Sequence, residues 1–144
     1  MTGRGWLGLL LVCCLAGQAL ADDRYLVEFS VWLDGELAGT PVLIVEAGEP
    51  ASLEQLGEPS YRLTVMVEPL VDSLMPRDTL WLHILVELFG EEGWEDLADT
   101  MLGARAGEQT TLSVVEGDRQ PTPESANLYL QARTSPLLPA DVAN

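Results

Sequence analysis

The single histidine is the residue best suited to acid–base or metal chemistry, yet its context disfavours both. His83 lies in a segment of alternating polarity, with Trp81 and Leu85 on the same predicted face, and the 144-residue chain has no second histidine. A serine hydrolase would need a Gly-x-Ser-x-Gly elbow, which the sequence lacks. We therefore expect His83 to be structural, and the sequence indicates no catalytic residue and no cofactor.

Carboxylates are most dense between residues 91 and 99. This run contains Glu91, Glu92, Glu95, Asp96 and Asp99. Calcium prefers oxygen ligands of this kind, so Glu92, Asp96 and Asp99 are weak candidates for a calcium site, although no Asp-x-Asp-x-Asp-Gly loop is present. A solvated acidic loop is the simpler interpretation. With 23 Asp and Glu residues, paired carboxylates also leave open a small hydrolase.

Four aromatic residues are candidates for a binding surface. Trp32, Trp81 and Phe89 fall on the less apolar face of their predicted strands, and Trp94 lies within the acidic run. Exposed aromatic side chains on a sheet face are typical of protein or sugar sites. Coverage by neighbouring loops would instead make them ordinary packing residues.

The N-terminal residues 1–21 have the pattern of a cleaved signal peptide. Arg4 precedes an apolar stretch, and Ala19-Leu20-Ala21 fits a signal-peptidase site before Asp22. Neither cysteine follows a small residue as a lipid anchor requires, and both Cys13 and Cys14 leave with the signal. We therefore expect a periplasmic or secreted chain without membrane anchor, disulfide or thiol chemistry.

The remaining chain is strongly acidic. Residues 22–144 hold 6 Arg, no Lys and 23 Asp and Glu, a formal charge of −17. Such a surface repels nucleic acid and anionic lipid headgroups. The composition therefore excludes polyanionic partners and favours a protein partner with a basic surface.

A period of two dominates this part of the chain and predicts an all-β domain. Clear strands are indicated over 25–33, 63–67 and 80–88, and weaker ones over 42–45, 111–115 and 128–132. The predicted core consists of Tyr25, Val27, Phe29, Val31, Leu63, Val65, Val67, Leu82, Ile84 and Val86. Only 91–99 is suited to a short helix or loop insert, because its acidic start resembles a helix N-terminus.

An internal repeat divides the domain into two units. Val31 to Glu36 aligns with Val86 to Glu91, and Pro41 to Leu53 aligns with Thr100 to Leu112, including two Ala-Gly-Glu turns. Neither three-stranded unit can bury its apolar face alone. The sequence thus predicts a small antiparallel β-sandwich over 22–134, built from related units at about 24–68 and 79–133, with a flexible tail over 135–144.

Three functions are compatible with these features. The first is an exported, non-catalytic binding or accessory protein that acts through protein–protein contacts. The second is an acidic inhibitor or immunity protein against a cationic secreted hydrolase, since opposite charge accelerates association. The third, a carboxylate-dependent hydrolase, needs a concave pocket with two carboxylates in unlike environments.

Overall fold

A computed structural model describes residues 23–70, 74 and 78–137. The predicted signal peptide, its cleavage site and residues 138–144 of the predicted tail lie outside the described residues. The first three tail residues are not a tail, because the last strand continues to Leu137. Within the described ranges, no helix is long and apolar enough to span a membrane.

Within the described residues, nine β-strands form two antiparallel sheets that pack face to face, as the period of two predicts. The strands are β1 (Arg24–Leu33), β2 (Glu36–Gly39), β3 (Val42–Glu46), β4 (Ala51–Gln55), β5 (Tyr61–Pro69), β6 (Thr79–Gly90), β7 (Gly93–Arg105), β8 (Gln109–Val114) and β9 (Leu128–Leu137). One sheet has the order β2-β1-β9-β8, with β3 also paired to β1, and the other has the order β4-β5-β6-β7. The all-β sandwich is therefore confirmed.

The core lies between the sheets and is built from alternate residues of the long strands. Nine of the ten predicted core residues are buried, and Tyr25 is half-buried against them. Additional buried side chains come from β1, β3, β5, β6 and β9, and from the approach to β9: Leu33, Val45, Tyr61, Leu80, Ala126, Leu128, Leu130 and Ala132. Burial of a medium or large apolar side chain is worth about 1.5–3 kcal/mol, so this face holds the sandwich together.

The predicted helix or loop insert near 91–99 is wrong for all but its first residues. Glu91 and Glu92 form a turn, and the rest belongs to β7, a 13-residue strand paired with β6 along its length. Pairing with a long buried neighbour outweighs the helix-like acidic start. The bulge between Val86 and Glu87 accommodates Leu97 as an extra residue on β7.

The two units follow the same path, and equivalent hydrogen bonds mark their corners. Gly48 N donates to Val67 O at 2.9 Å, and Gly107 N donates to Thr134 O at 2.7 Å. Ala47 N and Ala106 N likewise donate to Asp23 O and Asp78 O, both at 2.9 Å. The predicted equivalence of Gly35 and Gly90 as turn residues is wrong, because Gly35 lies in the β1–β2 turn at φ +86°, whereas Gly90 ends β6 and the turn after it consists of Glu91 and Glu92. The hydrogen bonds confirm the predicted alignment of the two Ala-Gly-Glu turns.

They also correct two details of the repeat. The alternating residues Leu63, Val65 and Val67 match Leu128, Leu130 and Ala132 in the sequence, which predicts that Val67 is equivalent to Ala132. The hydrogen bonds instead make Val67 equivalent to Thr134, so the last strands align two residues further along. In addition, each unit crosses to the opposite sheet with a short strand; β8 agrees with the strand predicted over 111–115, whereas β4 was not predicted.

Candidate binding face

The outward side of the β4-β5-β6-β7 sheet, here called the four-stranded face, gathers most of the candidate residues. Strand register arranges its side chains in rows. Towards the β6–β7 turn, these rows are Glu68, Trp81 and Gly103; Met66, His83 and Met101; Ser52, Thr64, Leu85 and Asp99; Glu54, Arg62, Glu87 and Asp96; and Phe89 with Trp94. Each row crosses neighbouring strands, whose side chains are close enough to interact.

An aromatic pair lies next to the β6–β7 turn. The rings of Phe89 and Trp94 meet edge to face with centroids 5.2 Å apart. The guanidinium carbon of Arg62 lies 4.5 Å from the Trp94 ring centroid, a cation–π arrangement. Phe89 remains 57% exposed. The pair is therefore accessible on one side and fixed by Arg62 on the other.

Arg62 is held in place by two carboxylates. Its Nε and Nη2 donate to the two carboxylate oxygens of Glu87, each at 2.9 Å, and its Nη1 donates to Glu54 at 3.3 Å. The hydrogen bond to Glu87 raises the pKa of Arg62, and the bond from Arg62 lowers the pKa of Glu87. Bidentate pairing of this kind fixes geometry as well as charge.

The acidic run extends from the β6–β7 turn along β7 but does not form a metal cluster. Glu91 and Glu92 are exposed in the turn, while Glu95, Asp96 and Asp99 are exposed on β7. Among the described residues, no group of three or more His, Cys, Asp or Glu side chains is placed to hold a metal. The candidate calcium ligands Glu92, Asp96 and Asp99 are thus spread along the hairpin.

His83 is exposed rather than enclosed in the core. Its Nε2 lies 2.8 Å from Asp99 Oδ1, with side-chain exposures of 43% and 57% for the two residues. Met66 and Met101 are its direct neighbours in register on β5 and β7. A cleft of about 280 Å³ is lined by Pro50, Thr64, Met66, His83, Leu85 and Asp99.

The four aromatic candidates separate into three places. Phe89 and Trp94 form the pair beside the turn. Trp81 belongs to the row at the other end of β6, where it lies against Gly103. Trp32 is on the opposite sheet, where its ring meets Tyr129 edge to face at 5.7 Å.

The residues that sequence reasoning missed are Arg62, Met66 and Met101. All three alternate with apolar or core-facing neighbours, so the sequence indicates that they point outward. Their partners depend on the register between strands far apart in the chain. The alternating patterns of β5 and β6 indicate which of their side chains point outward. The sequence does not indicate that β7 pairs beside them, because β7 begins in an acidic segment.

Two other clefts lie outside the four-stranded face. A cleft of about 440 Å³ on the outward side of the β1–β9 sheet is lined by residues including Glu28, Ser30, Gln131 and Arg133. A smaller cleft of about 150 Å³ has both Glu36 and Glu58 in its lining. Both carboxylates are exposed. That cleft therefore does not provide the unlike environments that a two-carboxylate hydrolase needs.

No family model matches this sequence, and no curated protein or solved structure matches it.

Proposed function

We propose that this chain is an exported, non-catalytic binding or accessory protein that recognises a protein partner with a basic surface. The contact region would be the hairpin patch, defined as Phe89, Trp94, Glu91, Glu92 and Asp96. The observation that carries the proposal is an aromatic pair, with Phe89 exposed and Trp94 half-buried, bordered by exposed carboxylates at one end of the sandwich.

The composition of the patch suits lysine and arginine side chains. Aromatic faces attract cations, and carboxylates accept charge-assisted hydrogen bonds from them. Arg62 provides an internal example, because its guanidinium both covers Trp94 and pairs with Glu87. A basic residue of a partner would find similar chemistry on the exposed side of Phe89, beside Glu91 and Glu92.

Long-range charge supports the same kind of partner. The formal charge of −16 for the whole chain attracts basic proteins and repels acidic ones. Steering by exposed charges is screened beyond about 8 Å at physiological ionic strength. Binding should therefore weaken as salt is raised, while the aromatic contact should retain part of the affinity.

The proposal can be tested with two matched double variants. Phe89→Ser/Glu91→Lys alters the hairpin patch. Leu37→Ser/Glu36→Lys makes equivalent changes beside the β1–β2 turn, where Leu37 is 56% exposed. Each protein would be immobilised and used to capture proteins from an envelope and secreted fraction, at about 50 mM and about 500 mM salt. Captured proteins would be identified, purified and measured pairwise.

Support requires a basic protein that binds the parent and the β1–β2 variant alike, and binds the hairpin variant at least tenfold more weakly. A partner that is indifferent to Phe89→Ser/Glu91→Lys and to salt would overturn the proposal. Turnover of a substrate by the chain itself would also contradict it. If the partner is a cationic hydrolase, inhibition of its activity would identify the chain as an inhibitor or immunity protein.

A further inference from the structure

The row of Met66, His83 and Met101 has a ligand chemistry that the proposed function does not use. We propose that this row is a binding site for a soft monovalent metal ion, Cu(I) in biology and Ag(I) as its redox-inert counterpart. The two thioether sulfurs and one imidazole nitrogen would be the ligands. The site lies three rows away from Phe89 and Trp94 along β6, so it can be tested independently of the hairpin patch.

Strand register brings the three ligands together. Met66 is paired with His83 across β5 and β6, and Met101 is paired with His83 across β6 and β7. Side chains that are directly opposite on neighbouring strands have Cβ atoms about 4.5–5.5 Å apart. Methionine has three rotatable side-chain bonds, so both sulfurs can lean towards the imidazole between them.

The environment leaves these ligands accessible. Met101 is 51% exposed, and His83 is 43% exposed at its side chain. Met66 and His83 both line the 280 Å³ cleft on this face. A methionine that served only to fill the core would point between the sheets, as its neighbours Val65 and Val67 do.

The hydrogen bond to Asp99 prepares His83 as a ligand. A carboxylate oxygen only accepts hydrogen bonds, so the 2.8 Å contact places a proton on Nε2 of the imidazole. In the neutral ring, Nδ1 then carries the free lone pair. Metal-binding histidines commonly donate their other ring N–H to a carboxylate in this way, which orients the ring and increases its basicity. Asp99 is accordingly a positioning residue.

The ligand types select the metal. Thioether sulfur is a soft donor that favours Cu(I), whereas calcium and magnesium need oxygen ligands. Residues 22–144 contain no cysteine to compete for such an ion, and they contain three methionines, Met66, Met75 and Met101. Two of these three are immediate neighbours of the single histidine.

The experiment uses Ag(I) as the probe, in a nitrate buffer free of chloride and thiols. Stoichiometry comes from native mass spectrometry and affinity from calorimetry, while the methyl resonances of ¹³C-methyl methionine report which sulfurs bind. The test variants are Met66→Leu, Met101→Leu, their combination, and Asp99→Ala. Met75→Leu is the matched control, because it removes the third methionine of residues 22–144 and leaves Met66, His83 and Met101 unchanged.

The parent and Met75→Leu should each bind one Ag(I) with the same affinity, and two methionine methyl resonances should shift. Each single Met→Leu change in the row should weaken binding at least tenfold, and the double change should abolish the one-to-one complex. Asp99→Ala should weaken binding about 10- to 100-fold without changing stoichiometry. Urea unfolding of each variant would check that the fold is retained.

The site would be disproved by an absence of one-to-one binding in the parent, or by an affinity that survives the double Met→Leu change. A shift of the Met75 methyl resonance alone would also disprove it. None of these results bears on the hairpin patch, because the variants leave Phe89, Trp94 and the turn carboxylates intact.

Discussion

The two units of the sandwich, residues 23–70 and 78–137, share one path but present different chemistry at equivalent places. The turn hydrogen bonds align β1 with β6 and β5 with β9, and both units have a bulge at the same point, between Val31 and Trp32 and between Val86 and Glu87. The units differ in the strand that follows β1 or β6 and pairs with it. In the first unit this strand is split into β2 and β3 by Thr40 and Pro41, whereas in the second unit it is continuous as β7.

The outward clefts of the two sheets include aligned rows that have different side chains. In the first sheet, Arg133, Glu28 and Val42 form a row in register and line the 440 Å³ cleft. The aligned row in the second sheet is Met66, His83 and Met101. The path of the chain therefore decides where a cleft lies, and the outward side chains decide what it can bind. The core can be shared because inward positions are apolar in both units.

The largest effect should come from the shared core, where Phe29 and Ile84 occupy aligned positions on β1 and β6. Both are buried between the sheets. Phe29→Ala should lower the free energy of unfolding by about 3–5 kcal/mol and Ile84→Ala by about 2–5 kcal/mol, because each leaves a cavity. Urea denaturation monitored by tryptophan fluorescence would measure both.

Exposed Val42 on β3 provides the control for these core changes. Val42→Ala should change the free energy of unfolding by no more than about 0.5 kcal/mol. If Phe29→Ala or Ile84→Ala unfolded at the same urea concentration as Val42→Ala, the two central strands would not share one core.

The core was the most predictable part of the molecule. Alternation along β1, β5 and β6 identifies the inward residues without knowledge of the partner strand, because a period of two assigns a face by itself. The two Ala-Gly-Glu turns were predictable for a similar reason, since each segment is local. By contrast, β7 was misjudged at its start, where Glu95 and Asp96 mask a strand that is stabilised by pairing with β6.

The candidate sites were less predictable because they depend on register. Phe89 and Trp94 were recognised by residue type, but nothing in the sequence places the Arg62 guanidinium over Trp94. His83 was predicted to be structural for want of a second His or Cys. Its actual neighbours, Met66 and Met101, are 17 and 18 residues away in the chain, and only the pairing of three strands brings them alongside.

Substitutions at the equivalent positions Val67 and Thr134 should have smaller effects on the free energy of unfolding, and these effects should have opposite signs. Both residues are buried and accept the equivalent turn hydrogen bond through their carbonyl oxygens. Among the described residues, the Thr134 hydroxyl has no hydrogen-bond partner. Thr134→Val should therefore stabilise the fold by about 1 kcal/mol, because it removes an unsatisfied buried group while preserving side-chain shape.

The reciprocal change tests the same comparison in the other unit. Val67→Thr should destabilise by about 1–3 kcal/mol, since it buries a hydroxyl where the first unit has a methyl group. Thermal and urea unfolding of both variants would give the two signs. If Thr134→Val lowered the free energy of unfolding as much as Val67→Thr, the Thr134 side chain would have a stabilising role despite its lack of a hydrogen-bond partner.

The smallest change in the free energy of unfolding should come from loss of the outward ion pair of Arg62 and Glu87. In the first sheet, Tyr129 and Trp32 occupy the aligned positions. The side chains of Arg62 and Glu87 are 29% and 12% exposed, so solvent screens part of the interaction. The bond from Arg62 lowers the pKa of the Glu87 carboxyl below the ordinary value of 4.5.

As the pH falls, the unfolded chain therefore takes up this proton before the folded chain does. The stabilisation is complete above pH 4.5 and is lost as the pH falls through the lower, folded pKa. The difference in unfolding free energy between the parent and Glu87→Gln should thus be largest at neutral pH and shrink below pH 4.5. Urea unfolding across this range would measure it, with Trp32→Phe as a control whose difference should not change with pH. A Glu87→Gln difference that is constant with pH would mean that Arg62 confers no preferential stability on the ionised carboxylate.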